Sequence, residues 1–402
     1  MISPAAHVAV FSIPAAGHIN PTLAIVGELV RRGHRVSYAT SEEFAPRVAA
    51  AGATPVLCPS TFPAPERGEH FPLDDAVAMS DVFLNDSVAA LPVLAAAFED
   101  DRPDLVLFDY ASFAGQILAK RWGVPSVRNS PTHVAGPDIA EELAPLYDFL
   151  ADDPDWADHR RRFQEFLDSN GAELPIDEFV YRGRANRYLA TLPREFQKDA
   201  ELLDDRYHFV GPCLDGRSFQ GSWEAPADDR PVLLASLGTV YNNSLPFYRS
   251  CIEAFAGSEW HVVLATGRHI HPQDLGVLPE NFELHYSVPQ LQVLARAGAF
   301  LTHGGMGSTL EGLYFGVPMV AVPQGFDQID NAGILASRGI GRHLPPGEVT
   351  PQRLREEVLG LVGDTAAAER LAEIKQRIRA SGGAAEAANL IEKSLAEGAR
   401  GV

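Results

Sequence analysis

The first forty residues already restrict what this chain can fold into. HVAVFSI (7–13) alternates and is β-branched, PAAGH (14–18) has loop chemistry, and NPTLAIVGELVRR (20–32) carries the apolar period of a helix. Asn20 is placed to cap that helix with Pro21 at its first position, and Gly33 ends it. RVSYAT (35–40) reads as the next strand. Ser41 then caps EEFAPRVAAAG, with Glu42 and Glu43 where the helix dipole favours carboxylates, and ATPVLCP (53–59) is a third strand. Strands separated by helices pair in parallel, and a parallel sheet needs helices on both faces.

The alternation resumes with a strand at DLVLFD (104–109), a helix around SFAGQILAKRWG (112–123) and a strand at VPSVRNS (124–130). It loosens from about 131 to 205, where acidic, aromatic-rich helical pieces such as RRRFQEFLDSNG (160–171) precede a strand at RYLATL (187–192). Pro, Gly, Asp and Ser then gather in GPCLDGRSFQGSWEAPADDRP (211–231), the composition of a linker. A second alternation follows: strand 232–238, helix 246–257, strands 261–266 and 282–288, helix 290–298, strand 299–303, helix 307–316, strand 319–323 and three further helices. The division expected is a doubly wound α/β domain over 1–210, a linker over 211–230, a second such domain over 231–383, and a helix over 384–402 that returns to the first domain. Ligands of such sheets bind beyond the carboxyl ends of the strands, so the expected site is a cleft between the halves.

At 402 residues the chain is long enough for two such cores, and its 53 acidic against 33 basic side chains argue against nucleic acid or an anionic membrane as partner. Cys58, Cys213 and Cys251 fit neither a disulfide framework nor a metal spacing, which suits a reducing compartment. The apolar stretch ALPVLAAAF (90–98) is far shorter than the roughly 20 residues of a membrane span, and MISPAAHVAVFSI lacks the basic start of a signal peptide. A soluble, cytoplasmic protein is expected.

HGGMGSTLEG (303–312) is the stretch richest in chemistry. A strand ends at His303, and a helix follows whose first N–H groups have no partner and carry the positive end of the dipole. Glycines allow close backbone approach, and Ser308, Thr309 and His303 add donors, so the stretch can hold a phosphate without a lysine. A tight strand–helix turn needing glycine for packing alone explains the same letters equally well.

The surrounding residues break that tie. SVPQLQVLARAGAFLTHGGMGSTLEGLYFGVPMVAVPQGFDQIDN (287–331) resembles, at fixed spacing, the nucleotide-sugar signature of family 1 glycosyltransferases of the GT-B fold, and PAAGHINPTLAI (14–25) with DLVLFD (104–109) resembles the family's N-terminal motif. The similarity is felt over the full length, nearest to bacterial macrolide and natural-product enzymes. The resemblance implies two Rossmann-like domains facing across a cleft. It also implies roles. His303 and the backbone of Gly305, Gly307 and Ser308 would hold a pyrophosphate, assisted by Ser308, Thr309 and the loop of Ser236, Gly238 and Thr239. Glu311 would accept the ribose hydroxyls. Val288, between Ser287 and Gln290, would meet the uracil edge, and Asp327 and Gln328 would hold sugar hydroxyls, a pair that goes with a glucose-type donor. Ser287 stands where many relatives have a base-stacking Trp, and Gly307 where plant-type relatives have Asn.

His18 precedes a helix in the sequence reading, where a histidine is ordinarily a cap or a packing residue. The resemblance makes it instead the base that takes the acceptor proton, with Asp109 fixing its tautomer from the end of a strand. Phe62, Phe71, Phe83 and Leu84 either line an apolar acceptor pocket or belong to the core. Asp153–Pro154–Asp155 resembles a metal-binding D-x-D but lies in an acidic run away from any strand end, and His269 and His271 have no third ligand in sequence. The expected protein is an inverting glycosyltransferase needing no metal or cofactor. It would move glucose from UDP-glucose to a hydroxyl of a macrolide, flavonoid or other phenolic small molecule. A nucleotide-sugar epimerase or hydrolase on the same fold, or a non-catalytic partner protein, are the alternatives.

Overall fold

A computed structural model describes residues 5–63, 69, 71–72, 75–183, 185–240, 242–325 and 327–398. Two compact units divide them. One contains the chain up to 63, residues 71–216 and the end of the chain from 382; the other contains 217–381 together with Glu69.

The first unit has seven strands: β1 (His7–Phe11), β2 (Arg35–Thr40), β3 (Thr54–Leu57), β4 (Leu105–Asp109), β5 (Ser126–Ser130), β6 (Arg187–Ala190) and β7 (Tyr207–Phe209). All pair in parallel in the order β3-β2-β1-β4-β5-β6-β7. The intervening helices are α1 (Ala16–Arg31), α2 (Ala45–Ala50), α3 (Ala76–Ala97), α4 (Phe113–Trp122), α5 (Ile139–Leu150) and α6 (Pro154–Ser169). β1, β4 and β5 are buried throughout, as strands covered on both faces must be.

Four local readings of the sequence need correction. First, α1 begins at Ala16, not after Asn20, and Pro21 lies inside it. Its first turn is closed by the N–H groups of His18 and Ile19, both 2.9 Å from the Ala15 carbonyl, so Pro21 costs only the bond to Gly17. Second, Ser41 does not cap α2. It opens a turn to Phe44, and the helix starts where Pro46 can occupy the first turn. Third, the apolar run around 90–98 is part of the 22-residue α3, which is long and apolar enough to span a membrane by length and composition. In the fold α3 lies against α4, with Leu84, Leu91 and Leu94 in the core. Fourth, Asp153 caps α6, accepting the N–H groups of Asp155 and Trp156, so Asp153–Pro154–Asp155 is a helix start.

The second unit holds β8 (Val232–Ser236), α7 (Leu245–Phe255), β9 (His261–Ala265), α8 (Pro272–Leu275), β10 (Phe282–His285), α9 (Gln290–Leu294) and β11 (Ala297–Thr302). It continues with α10 (Met306–Phe315), β12 (Met319–Ala321), α11 (Asp327–Ser337), β13 (Gly341–His343), α12 (Pro351–Val362) and α13 (Thr365–Arg379). The sheet is again wholly parallel, ordered β10-β9-β8-β11-β12-β13. The helix read at 290–298 stops at Leu294, because Ala297 already pairs with Val232 at the start of β11. The last helix, α14 (Gly383–Gly398), belongs to the first unit and lies along α1.

Strand order reverses direction between β1 and β4 in one sheet and between β8 and β11 in the other. Helices on either side of such a point leave the sheet in opposite directions, which opens a crevice at the strands' carboxyl ends. Each unit therefore has one place where its topology alone leaves room for a ligand.

Candidate active site

At the reversal point of the first unit, the residues following β1 and ending β4 meet. His18, in the first turn of α1, places Nδ1 2.8 Å from Oδ2 of Asp109, the last residue of β4. The carboxylate is nearly enclosed, at 1% exposure against 19% for the imidazole. Its other oxygen accepts the Ala111 N–H at 2.9 Å, so both oxygens are held by donors. A carboxylate only accepts, which puts the ring proton on Nδ1 and leaves the Nε2 lone pair free. Tyr110 packs its ring 5.7 Å from that of His18. Behind the dyad, the Thr22 hydroxyl donates to the His18 carbonyl at 2.7 Å and accepts from Nδ2 of the buried Asn129 at 3.1 Å. Thr22, Asn129 and Tyr110 were not singled out by sequence, since nothing in their letters distinguishes them from other strand and helix residues.

The second unit's reversal point gathers the expected donor residues. Ser236 pairs with Thr302 across β8 and β11, and the loops that follow carry Gly238 and Thr239 on one side and His303 to Gly305 on the other. The first intrahelical bond of α10 runs from the Thr309 N–H to the Gly305 carbonyl, leaving the N–H groups of Met306, Gly307 and Ser308 without an acceptor in the helix. His303 fills the space between the two loops. A Cβ on Gly238 would lie 2.6 Å from its ring, and one on Gly305 would fall on its Nε2. These glycines make room for the imidazole, a sharper reason than the ligand approach inferred from sequence. Gly307 is the opposite case, exposed and with nothing near a Cβ. Burial pushes the His303 pKa down to about 4, so the ring is neutral at pH 7.

Glu311 is buried one turn into α10. One oxygen pairs with Arg217 and the other accepts from Gln290 Nε2 at 2.7 Å; the same amide reaches Ser308 Oγ at 3.2 Å. Arg217 and Glu311 are 8% and 6% exposed. Arg217 lies in the stretch read as linker, and its Pro/Gly/Ser-rich setting concealed that it is a buried ion-pair partner. Asn331, fully buried on α11, donates to the Gly304 carbonyl at 2.9 Å and ties α11 to the glycine loop. Next to it Gln328 is buried, its amide oxygen accepting the Gln324 N–H at 2.8 Å, and Asp327 begins the helix. Val288 is buried, Ser287 is exposed, and Thr309 is buried with its hydroxyl lacking a hydrogen-bond partner among the described residues.

Of the apolar candidates, Leu84 is core. Phe62, Phe71 and Phe83 are half-buried in the first unit and form a mutual ring cluster with centroids 5.4–6.2 Å apart. His271 immediately precedes α8, and among the described residues no three His, Cys, Asp or Glu side chains gather to hold a metal ion.

Comparison with known proteins matches this geometry to a family. Residues 252–393 match the domain described as erythromycin biosynthesis protein CIII-like, C-terminal. The chain is 42% identical to an oleandomycin glycosyltransferase of Streptomyces antibioticus, over 97% of this chain and 91% of that protein. It is 38% identical to the NDP-glycosyltransferase YjiC of Bacillus licheniformis, over 97% and 98%. A crystal structure of the glycosyltransferase of kitacinnamycin superposes with a TM-score of 0.89 at 44% identity, over 97% of this chain and 99% of that one.

Proposed function

Because the chain belongs to the family 1 glycosyltransferases of the GT-B fold, in their bacterial natural-product group, we propose that it transfers glucose from UDP-glucose to a hydroxyl of an apolar natural product. The transfer inverts the anomeric centre and uses no metal. The observation that carries this reading is the His18–Asp109 pair, 2.8 Å apart at the reversal point of the first sheet. His18 Nε2 takes the acceptor's hydroxyl proton while Asp109 steadies the imidazolium that forms. The freed oxygen attacks the anomeric carbon from the face opposite the bond to the β-phosphate, that bond breaks, and UDP leaves with the electron pair.

Charge then grows on the departing diphosphate. The unpartnered N–H groups at the start of α10 and the neutral His303 ring are donors for it, fixed in advance by the fold and therefore costing no reorganisation. This is the task a divalent cation performs elsewhere. Glu311 supplies a carboxylate for ribose hydroxyls, and Asp327 and Gln328 supply acceptors and donors for the sugar. The relatives named for oleandomycin and kitacinnamycin support an acceptor from the same broad class of compounds.

Purified protein incubated with UDP-glucose and a panel of aromatic and macrolide alcohols in EDTA should yield products heavier by one hexose, read by mass spectrometry. His18→Ala should lower kcat by about 10²–10⁴-fold while UDP affinity, measured by calorimetry, is kept. A variant with near-native turnover would remove His18 from the mechanism.

A further inference from the structure

α3 carries a buried carboxylate whose charge no described side chain of the first unit balances. Asp86 is 9% exposed, and its Oδ1 accepts both the Ser60 hydroxyl at 2.6 Å and the Thr61 N–H at 3.0 Å. Among the described residues Oδ2 has no hydrogen-bond partner and no Lys, Arg or His pairs with the group. Burial raises its pKa, and the hydrogen bonds from Ser60 and Thr61 act against the rise. Fastening the loop at residues 60–62 accounts for Oδ1 alone. An asparagine would do that without burying a charge, which is costly when unpaired.

Beside the carboxylate is a small chamber of about 20 Å³, lined among others by Ser12, Pro14, Thr40, Cys58 and Ser112. That is space for one small polar group. The Thr40 hydroxyl, in a residue 2% exposed, is buried on this wall without a hydrogen-bond partner among the described residues. Ser12 and Pro14 lie in the loop leading to His18, and Ser112 donates its N–H to the Asp109 carbonyl at 2.8 Å. Aromatic rings neighbour Asp86 and the loop it holds along the chain. Phe83 precedes Asp86 by one turn of α3, and Phe62, whose N–H donates to Ser60 Oγ at 3.1 Å, packs on it within the half-buried ring cluster.

We propose that Asp86 and Thr40 form the cation end of the acceptor site, selecting acceptors that carry a protonated amine on an apolar body. The ammonium donates to Asp86 Oδ2 and Thr40 Oγ1, and the body rests on Phe62, Phe71 and Phe83, whose ring faces also attract a cation. Asp86 is a specificity-determining residue in this scheme, and the scheme rests on the reading of the first unit as the acceptor-binding one.

The test uses a matched pair of acceptors, an apolar alcohol bearing an amine and its N-acetyl derivative, with wild-type protein and Asp86→Asn. Asparagine keeps an oxygen for Ser60 and Thr61, so the loop stays fastened. Wild type should favour the amine by about tenfold or more in kcat/KM, the worth of one charged hydrogen bond, and Asp86→Asn should erase that preference through KM. Absence of the preference in wild type, or equal loss for both acceptors in Asp86→Asn, overturns the proposal and leaves Asp86 as a loop anchor. If neither compound is glucosylated, the transferase reading has failed separately. Calorimetry of the amine then decides the subsite: binding weakened about tenfold by Asp86→Asn supports it, and unchanged or absent binding overturns it.

Discussion

Gly238 and Gly307 look alike in the sequence and are opposites in the structure. Gly238 has φ +79 and lies against the His303 ring, so an alanine there takes a left-handed backbone and also displaces the imidazole. The backbone alone costs about 1–2 kcal/mol. Gly238→Ala should lower the melting temperature and weaken UDP binding, whereas Gly307→Ala, in an open helical position, should gain about 0.5–1 kcal/mol of stability. Differential scanning calorimetry with and without UDP reads both. His303 itself makes stability depend on pH. The unfolded chain takes up a proton near the ordinary value of 6.5 and the folded chain only near 4, so between these values the unfolded state binds more protons. Stability should therefore fall as pH falls from 6.5 to 4, by up to about 3 kcal/mol. His303→Gln should lack this component, visible as the difference between wild-type and variant urea unfolding across that range.

At the scale of elements, the residues whose chemistry is written in their own side chains were legible. The β-branched runs gave parallel strands, and the glycine-rich stretch after β11 gave the start of a helix. Less legible were features decided by partners distant in sequence. Asn20 and Pro21 have the letters of a helix start, but a tight turn at Ala15 begins α1 earlier, which puts His18 inside the helix. The difference matters because the Thr22 and Asn129 hydrogen bonds can then hold the His18 backbone from below. Arg217 was hidden for a related reason. Its neighbours have linker composition, and only the fold brings it to Glu311, 94 positions on. Asp86 had no signal at all, being one of two aspartates in a largely apolar helix, and Asn331 none beyond its place after the Asp327–Gln328 pair.

For the whole molecule, the order of the chain and the boundaries of the two units disagree, and that disagreement has a consequence for folding. Every strand and helix of the second unit lies in the continuous stretch 217–381, whereas the first is completed only by the end of the chain. α14 buries Ala387, Ala388, Leu390 and Ile391. Arg32 reaches Asn389 and Glu392, each at 2.8 Å, and Arg187, itself buried, binds Ser394 at 2.6 Å and Glu397 at 2.7 Å. Without α14 the first unit would expose that apolar surface and strip Arg187 of its Ser394 and Glu397 partners, against a domain stability of only about 5–15 kcal/mol. A fragment of residues 217–381 should accordingly fold by itself, melt in one transition and bind UDP. A fragment of 1–216 should aggregate or remain partly unfolded. The Gly383 N–H lies 2.8 Å from the Val210 carbonyl, so the two segments of the first unit already meet there. Joining residue 216 to residue 382 through a short glycine–serine linker should restore a cooperatively melting protein, scored by circular dichroism and gel filtration. A stable, monomeric 1–216 fragment would show that α14 is dispensable to the first unit.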